Sequence, residues 1–419
     1  IFGKNLAYLV TLFSMLLYAR WFDPATFGTI AIFQLFVIFS QMMGASSLEP
    51  VFISTDVKKH VRLVRLINEI SSVALALIFF LVTYLFFFIE GSTLLLPITA
   101  YSIAVYFNVK TALPSSILKI EKKFFLHPLY ESISDLFLIV FVYFYKDSSS
   151  AIIILSLRYM LSSILKYALC YFSINKSYKR IEKDNKQDNS EIFKSLSHFF
   201  KHQVSFNVMS HFARNIDIFL VNNLFGKEVL GLYDYALKLC RYPTMIIVAG
   251  LHPVIQPILK NENNTKVISR TFLYMTFFIG LIASIFSVII TDNATEIIIL
   301  LFGEKWLVSA TYLSILGYSI IPNMLSFTAG YFQALNRPEF LTKVSIFTLI
   351  SFISCLSIAF LFDNSIQGIL IAVVVSNFLS YFYSSYTLYI VALGNRLLNY
   401  IFLYSVIGLF LISLMIFFT

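Results

Sequence analysis

Six ionisable side chains lie where an apolar sequence has least reason to put them. Between His211 and Arg241 the chain sets His211, Arg214, Asp217, Asp234, Lys238 and Arg241 into two otherwise apolar segments joined by a turn from Gly226 to Gly231. Each segment is long enough to cross a bilayer. An ionised group near the middle of a membrane helix costs roughly 2.5 to 3.5 kcal/mol on insertion scales, so it faces a partner or a wet cavity. At 100° per residue, Asp234, Lys238, Arg241 and His252 fall within about 60° of one another, and His211, Arg214 and Asp217 span about 120°. Each segment therefore carries one polar stripe. Counted from the outer ends of two antiparallel helices, Arg214 and Lys238 are each about nine residues deep, and Asp217 and Asp234 about five or six. Two readings stand. The charges neutralise one another, Arg214 with Asp234 and Asp217 with Lys238. Alternatively, Arg214, Lys238 and Arg241 line a cavity and receive an anion, with Asp217, Asp234 and His211 as charge partners or coupling groups. A diphosphate suits the second reading, because a guanidinium binds two oxygens at once and an ammonium acts as a point charge.

Further intramembrane charges carry weaker signals. Glu131 and Asp135 are i and i+4 on one span at a depth near Lys166 on the next, which reads as a structural pairing ahead of a proton site. Arg158 and Lys110 lie about eight residues from a membrane face and are expected to snorkel out. Glu49-Pro50 and His252-Pro253 occupy matching positions near the ends of two spans. Proline there is expected to kink the helix, which suits a gate and equally a packing kink. His198 and His202 have the spacing of a metal pair but no third ligand in reach, so no metal and no cofactor is expected.

The elements that must position these residues follow from composition. The chain has 419 residues, 58% hydrophobic, 17% aromatic and 13% charged, with a mean hydropathy of +0.81. That much apolar surface exceeds any core a water-soluble chain buries. The apolar runs are helix-length rather than ten-residue alternating strands, so the expected class is an all-α polytopic membrane protein. Spans are expected at about 4–21, 27–54, 66–90, 94–118, 125–145, 151–174, 202–223, 229–258, 267–291, 307–333, 341–362 and 366–392, with a thirteenth at 397–418. A polar stretch at 175–201 separates an N-terminal six-helix lobe at 1–174 from a C-terminal six-helix lobe at 202–392. It reads as a solvated linker followed by an interfacial helix bearing Ile192, Phe193, Leu196, Phe199 and Phe200. The three cysteines, Cys170, Cys240 and Cys355, lie in separate spans and form no disulfide framework.

Lysines and arginines alternate by loop. Twenty fall in the loops after even-numbered spans and four, Arg20, Lys146, Lys227 and Lys305, in the others. The positive-inside rule then places the N-terminus and the 175–201 stretch in the cytoplasm. The formal charge of +9 sits in those loops and predicts no nucleic-acid partner. The chain opens on Ile1 rather than Met and the span count is odd, so a preceding start and a fourteenth helix are expected beyond its ends.

The halves read as a duplication. A shift of 203 residues sets Phe22, Gly28, Met42, Leu48, Pro50 and Val51 on Phe225, Gly231, Met245, Leu251, Pro253 and Val254 without a gap. Repeats of six spans keep their orientation, so a pseudo-two-fold along the membrane normal is expected, with a substrate site between rocking halves.

The stretch Arg214-Asn-Ile-Asp217 with Phe225-Gly226, Leu230-Gly231-Leu-Tyr233 and Pro243, together with FDPATFG at 22–28, LFGEKW at 301–306 and ALNRPEF at 334–340, resembles the polysaccharide exporters of the Wzx and PST type. These belong to the multidrug, oligolipid and polysaccharide flippase superfamily. The resemblance covers nearly the whole chain and implies a MATE-like transporter of the bacterial inner membrane. Its implied cargo is a polyprenyl-diphosphate-linked oligosaccharide, turned outward for O-antigen, capsule or exopolysaccharide synthesis. Membrane lipids, and the polymerase and glycosyltransferases of the same pathway, are the implied partners. A cation-coupled drug exporter of the same superfamily would favour acids in its cavity, whereas the central stripes carry three bases against two acids. A membrane glycosyltransferase or polymerase needs a sizeable extramembrane region, and the longest polar stretch is the one at 175–201. A channel needs a ring-forming repeated loop that the sequence lacks. The reading is a non-enzymatic transporter.

Overall fold

The computed structural model describes residues 2–54, 61–91, 94–147, 150–183, 190–260, 264–335, 337, 339–362 and 364–394. The expected thirteenth span at 397–418 lies outside them. The described chain is helical throughout and divides into two compact units, Phe2–Phe219 and a second that begins at Leu220. Eight of its helical stretches are long and apolar enough to cross a membrane. It is a multi-pass membrane protein.

The first unit runs α1 (Phe2–Trp21), α2 (Pro24–Met43), α3 (Ala45–Ser54), α4 (Val61–Ile89), α5 (Leu95–Lys110), α6 (Ala112–Ile120), α7 (Leu126–Tyr145) and α8 (Ala151–Lys183). It also takes in the start of α9 (Ser190–Lys260). Asp23 and Pro24 start α2 in extended and first-turn geometry, as proline's fixed φ and missing N–H favour. α5 packs against α4 and α8, α7 against α1 and α8, and α3 against α6. The centre of this packing is aromatic: Phe33 stacks on Tyr101 and on Phe87, each at 4.7 Å between ring centroids.

α2 and α3 form one span interrupted at Gly44, whose φ of −93° and ψ of −95° leave the helical region. A Cβ at Gly44 would stand 2.6 Å from Val109 Cγ2 and 2.8 Å from Leu75 Cδ1, so only glycine lets this backbone approach α4 and α5 so closely. The expected proline kink is therefore displaced: α3 continues through Pro50 and the break lies six residues earlier. The Met42 carbonyl released there accepts from Ser47 Oγ at 2.6 Å and from Asn207 Nδ2 on α9 at 3.1 Å. Bonds of this kind, with Phe219 packing edge-on to Phe36 at 5.6 Å, group the first part of α9 with the N-terminal helices rather than with the chain that follows.

Two further boundaries differ from expectation. α8 continues to Lys183 rather than ending near Ile174, because the Lys, Arg and Glu that mark polarity in 176–183 are also good helix formers. From Ser190 the backbone is helical with no break before Gly226, where φ of 84° and ψ of 177° divide α9 into two arms. The side chains of 192–200 lie outside the described residues.

The second unit comprises the second arm of α9, α10 (Thr265–Asp292), α11 (Ala294–Leu301), α12 (Val308–Leu316), α13 (Ile320–Met324), α14 (Thr328–Ala334), α15 (Glu339–Phe362) and α16 (Ile366–Tyr386). α15 packs on α16, and α10 on α12 and α13. Gly303, at φ 94° and ψ 176°, turns the chain after α11 so that Trp306 becomes fully buried. The Trp306 ring lies 4.5 Å from that of Tyr235 and 5.6 Å from that of Phe302. Thus the LFGEKW segment and the Leu232–Tyr235 stretch form one core, tied again by Ser309 Oγ donating to the Leu232 carbonyl at 3.1 Å.

Candidate functional site

A strongly polar cavity lies wholly inside the first unit. Helices α1, α2, α3, α5, α6, α7 and α8 enclose a cavity of about 390 Å³ whose eighteen lining residues include two without a polar side chain, Ala45 and Ala112. Polar groups in this number inside a membrane bundle require mutual satisfaction, since lipid offers no hydrogen bonds.

The charges meet that requirement in pairs. Arg158 Nη2 on α8 lies 2.6 Å from Asp135 Oδ1 on α7, and Ser162 Oγ, one turn further along α8, donates to the same oxygen at 3.1 Å. Arg158 also lies over the Tyr18 ring, 5.2 Å from its centroid. Lys166 Nζ stands 3.8 Å from Glu131 Oε1. Glu49 accepts from Ser115 Oγ and pairs with Lys119 Nζ at 2.8 Å. The spacing of Arg158, Ser162 and Lys166 at i, i+4 and i+8 puts them on one face of α8, opposite Glu131 and Asp135 at i and i+4 on α7.

Two expectations are corrected here. Arg158 does not snorkel, because Asp135 on the adjacent helix gives it a counter-ion, and its side chain is 15% exposed. Lys110 does not snorkel either. Its Nζ lies 3.0 Å from Glu69 Oε1 and 2.6 Å from Tyr106 Oη, and it sits over the Tyr106 and Tyr167 rings. Glu69 carries no distinguishing signal beyond being an acid in α4. Its value as a partner depends on the rotation of α4 against α5, which spacing within one helix does not contain.

The residues of the opening stripe fall in two places. His211 and Asp217 are buried on the first arm of α9, where Phe39 lies 5.4 Å from the His211 ring and Asn215 Nδ2 donates to the His211 carbonyl at 2.9 Å. On the second arm, Lys238 Nζ pairs with Asp234 Oδ2 at 2.5 Å and lies over the Tyr235 ring at 5.4 Å. The expected partners of Asp234 and Lys238 on the neighbouring span thus give way, for this contact, to each other. One helical turn separates them, and an i,i+4 acid–base pair closes with little rearrangement. Arg241, one turn on, is half-buried. The backbones of Arg214, His252 and Pro253 belong to α9, and their side chains lie outside the described residues, as do those of His198 and His202. Among the described residues no group of three or more His, Cys, Asp or Glu is arranged to hold a metal ion.

Comparisons with known proteins bear on this arrangement. Residues 17–311 match the family model described as polysaccharide biosynthesis protein. A stretch of 124 residues is 30% identical to the teichuronic acid biosynthesis protein TuaB of Bacillus subtilis (strain 168), and it covers 29% of this chain and 26% of that protein. The match thus spans about a quarter of the length of that curated relative. Among solved structures, an inward-facing multidrug resistance MATE family transporter of the MOP superfamily aligns with a TM-score of 0.71 at 15% identity, over 93% of this chain and 99% of the other. Lipid II flippase MurJ in an inward closed conformation aligns with a TM-score of 0.68 at 17% identity, over 99% and 98%. The Vibrio cholerae MATE transporter VcmN aligns with a TM-score of 0.67 at 12% identity, over 95% and 96%. At these identities the likeness establishes the fold, which is MATE-like.

Proposed function

This chain belongs to the polysaccharide biosynthesis protein family, and we propose that it moves lipid-diphosphate-linked oligosaccharide units from the cytoplasmic to the outer leaflet of a bacterial cytoplasmic membrane. The single observation that carries this reading is the family match across residues 17–311 on a membrane-spanning MATE-like fold. That fold is shared with multidrug transporters, and the family match supports the saccharide cargo over a drug. The protein breaks no bond in this scheme. It shelters the polar head while the lipid tail stays in the bilayer, and the N-terminus and the 175–201 stretch lie in the cytoplasm, as the twenty-to-four distribution of basic residues supports.

The diphosphate contacts fall to Arg214, Lys238 and Arg241, with Asp234, Asp217 and His211 as modulating neighbours. The support is that Lys238 and Arg241 share a helix face and that Arg241 adds a base beyond the Asp234–Lys238 pair. A membrane potential, negative inside, contributes roughly 2.3 kcal/mol per charge per 100 mV to an anion moving outward. The Glu49-Pro50 and His252-Pro253 segments are the proposed movable ends of their helices.

The test is complementation in a strain lacking this chain. The null strain should lose surface polysaccharide and accumulate lipid-linked units on the cytoplasmic side. Arg241→Ala should stay at normal abundance in the membrane and fail to restore export, while Arg241→Lys should restore part of it, because charge survives and bidentate geometry does not. Wild-type surface polymer in the null strain overturns the function. Wild-type export by Arg241→Ala removes that residue from it.

A further inference from the structure

We infer that the cavity inside the first unit is a carbohydrate subsite, which selects a sugar ring of the cargo by hydrogen bonds to its hydroxyl and amide groups. The inference rests on the proposed function for the presence of sugar in the cargo, and on the cavity for where that sugar is read.

The charges of the lining balance one another and leave its neutral groups over. Each acid in the lining is already matched to a base: Asp135 to Arg158, Glu131 to Lys166 and Glu49 to Lys119. A cavity so balanced offers little net field to a single ion. What remains is neutral hydrogen-bonding capacity from Gln41, Asn108, Ser163 and other hydroxyl side chains. Amides and hydroxyls that both donate and accept suit a polyhydroxylated neutral ligand. Part of that capacity is anchored: Gln41 Nε2 donates to Tyr159 Oη at 3.1 Å, and Asn108 Nδ2 donates to Ser163 Oγ at 2.9 Å. Part is open. Asn108 Oδ1 and Arg158 Nε, both sealed from solvent, have no hydrogen-bond partner among the described residues. A buried polar atom left unsatisfied costs about 1–3 kcal/mol, so these two gain a partner when their side chains turn to meet a ligand hydroxyl in the cavity.

Size and walls agree with that chemistry. A cavity of about 390 Å³ is at the small end of the roughly 300–1,000 Å³ range of ligand sites, which limits the occupant to one or two sugar rings. Tyr159, held against Tyr101 at 5.2 Å between centroids, supplies an aromatic wall for the apolar face of a pyranose. Glu131 keeps 42% of its side chain accessible, so the interior can be reached. A site that hydrogen-bonds a ligand hydroxyl strongly rejects analogues lacking it, which is the property a transporter of defined repeat units requires.

The test uses the full chain purified in detergent, with free N-acetylglucosamine, glucose and galactose as probes and saturation-transfer difference NMR as the readout. At least one probe should show saturable binding to wild type. Gln41→Leu and Asn108→Leu should each weaken it about tenfold, the equivalent of one lost hydrogen bond near the upper end of the usual range, with thermal midpoints near wild type. Arg241→Ala should leave saccharide binding intact while abolishing export, which separates this inference from the diphosphate reading. If no probe binds wild type, or if binding is unchanged in both cavity variants, the subsite is wrong whatever the export assay shows. If saccharides bind and export proves unnecessary for surface polymer, the flippase reading fails instead.

Discussion

Asp135 with Arg158 joins α7 to α8, and Glu69 with Lys110 joins α4 to α5. In the second unit the described ion pairs run between residues close in sequence, Asp234 with Lys238 and Arg337 with Glu339. The buried hydroxyls divide less cleanly, since both units hold serines that return to their own helix, as Ser102 does, and both hold cross-helix bonds, as Thr328 with Ser384 in the second. Around the cavity, side chains bond across helices, as Asn108 does to Ser163 and Gln41 to Tyr159. In α10, Ser269 and Ser284 return their hydroxyls to carbonyls four residues back, which satisfies the group without building a site. The difference lies in the charges: the first unit ties helices together with ion pairs between them, while the described pairs of the second close within a few residues. Both units have aromatic centres, Phe33 with Tyr101 in the first and Trp306 with Tyr235 in the second, and the first adds a cavity lined by paired charges.

Removal of a cross-helix counter-ion has the largest expected effect. Asp135→Ala leaves Arg158 buried without its partner, and loss of one member of a buried pair costs about 3–5 kcal/mol. The expected outcome is a large drop in the thermal midpoint of the purified protein and low abundance in the membrane. The double variant Asp135→Asn with Arg158→Leu should recover much of the loss, since no uncompensated charge remains. A single variant as stable as wild type would mean that Arg158 has solvent, and that the cavity pairs hold nothing together.

Backbone differences come next in size. The shift of 203 residues that aligns the halves sets Asp23 on Gly226, and the two differ in the backbone. Asp23 is extended, at φ −89° and ψ 154°, whereas Gly226 is at φ 84° and ψ 177°, close to Gly303 at φ 94° and ψ 176°. That region is essentially restricted to glycine, and nothing lies within 4 Å of a Cβ built at either position. Gly226→Ala and Gly303→Ala should each destabilise by about 1–3 kcal/mol through backbone strain alone. Asp23→Ala should cost less, because its φ is ordinary. Equal midpoints for the three variants would erase the distinction between the halves.

Much of this architecture is legible in the sequence because hydrophobic run length and loop charge report spans directly. α7 at Leu126–Tyr145 and α16 from Ile366 fall where the apolar runs do. The break at Gly44 does not show in run length, since it leaves the hydrophobicity continuous, and the apolar run of α11, bounded by Glu296 and Gly303, is too short to register as a span. At the candidate site, the shared depth of Glu131, Asp135 and Lys166 can be read from their positions along two spans. That Arg158 rather than Lys166 takes Asp135 cannot. Depth is a one-dimensional quantity that residue counting supplies, while partner choice depends on how far each helix is rotated about its axis. Gly44 shows the same limit, because its role comes from Val109 and Leu75 on other helices.

The smallest expected effect is at Asp234, and it bears on both units. An i,i+4 acid–base pair contributes about 0.3–0.5 kcal/mol, and Lys238 keeps 27% of its side chain exposed with the Tyr235 ring beneath it. Asp234→Asn removes the charge and keeps the volume, so its midpoint should lie within a degree or two of wild type. Cross-helix pairing of Asp234 would predict a loss nearer that of Asp135→Ala, because a buried base would be left without a counter-ion. The export assay adds an independent axis. If the second arm of α9 presents Lys238 and Arg241 to a diphosphate, Asp234→Asn makes that face more positive, and export should be retained or raised while Arg241→Ala abolishes it. Abundance and export measured together therefore distinguish an acid that tempers a cationic face from one that holds the fold. A large stability loss in Asp234→Asn would place the second unit's charges in the same structural class as those of the first.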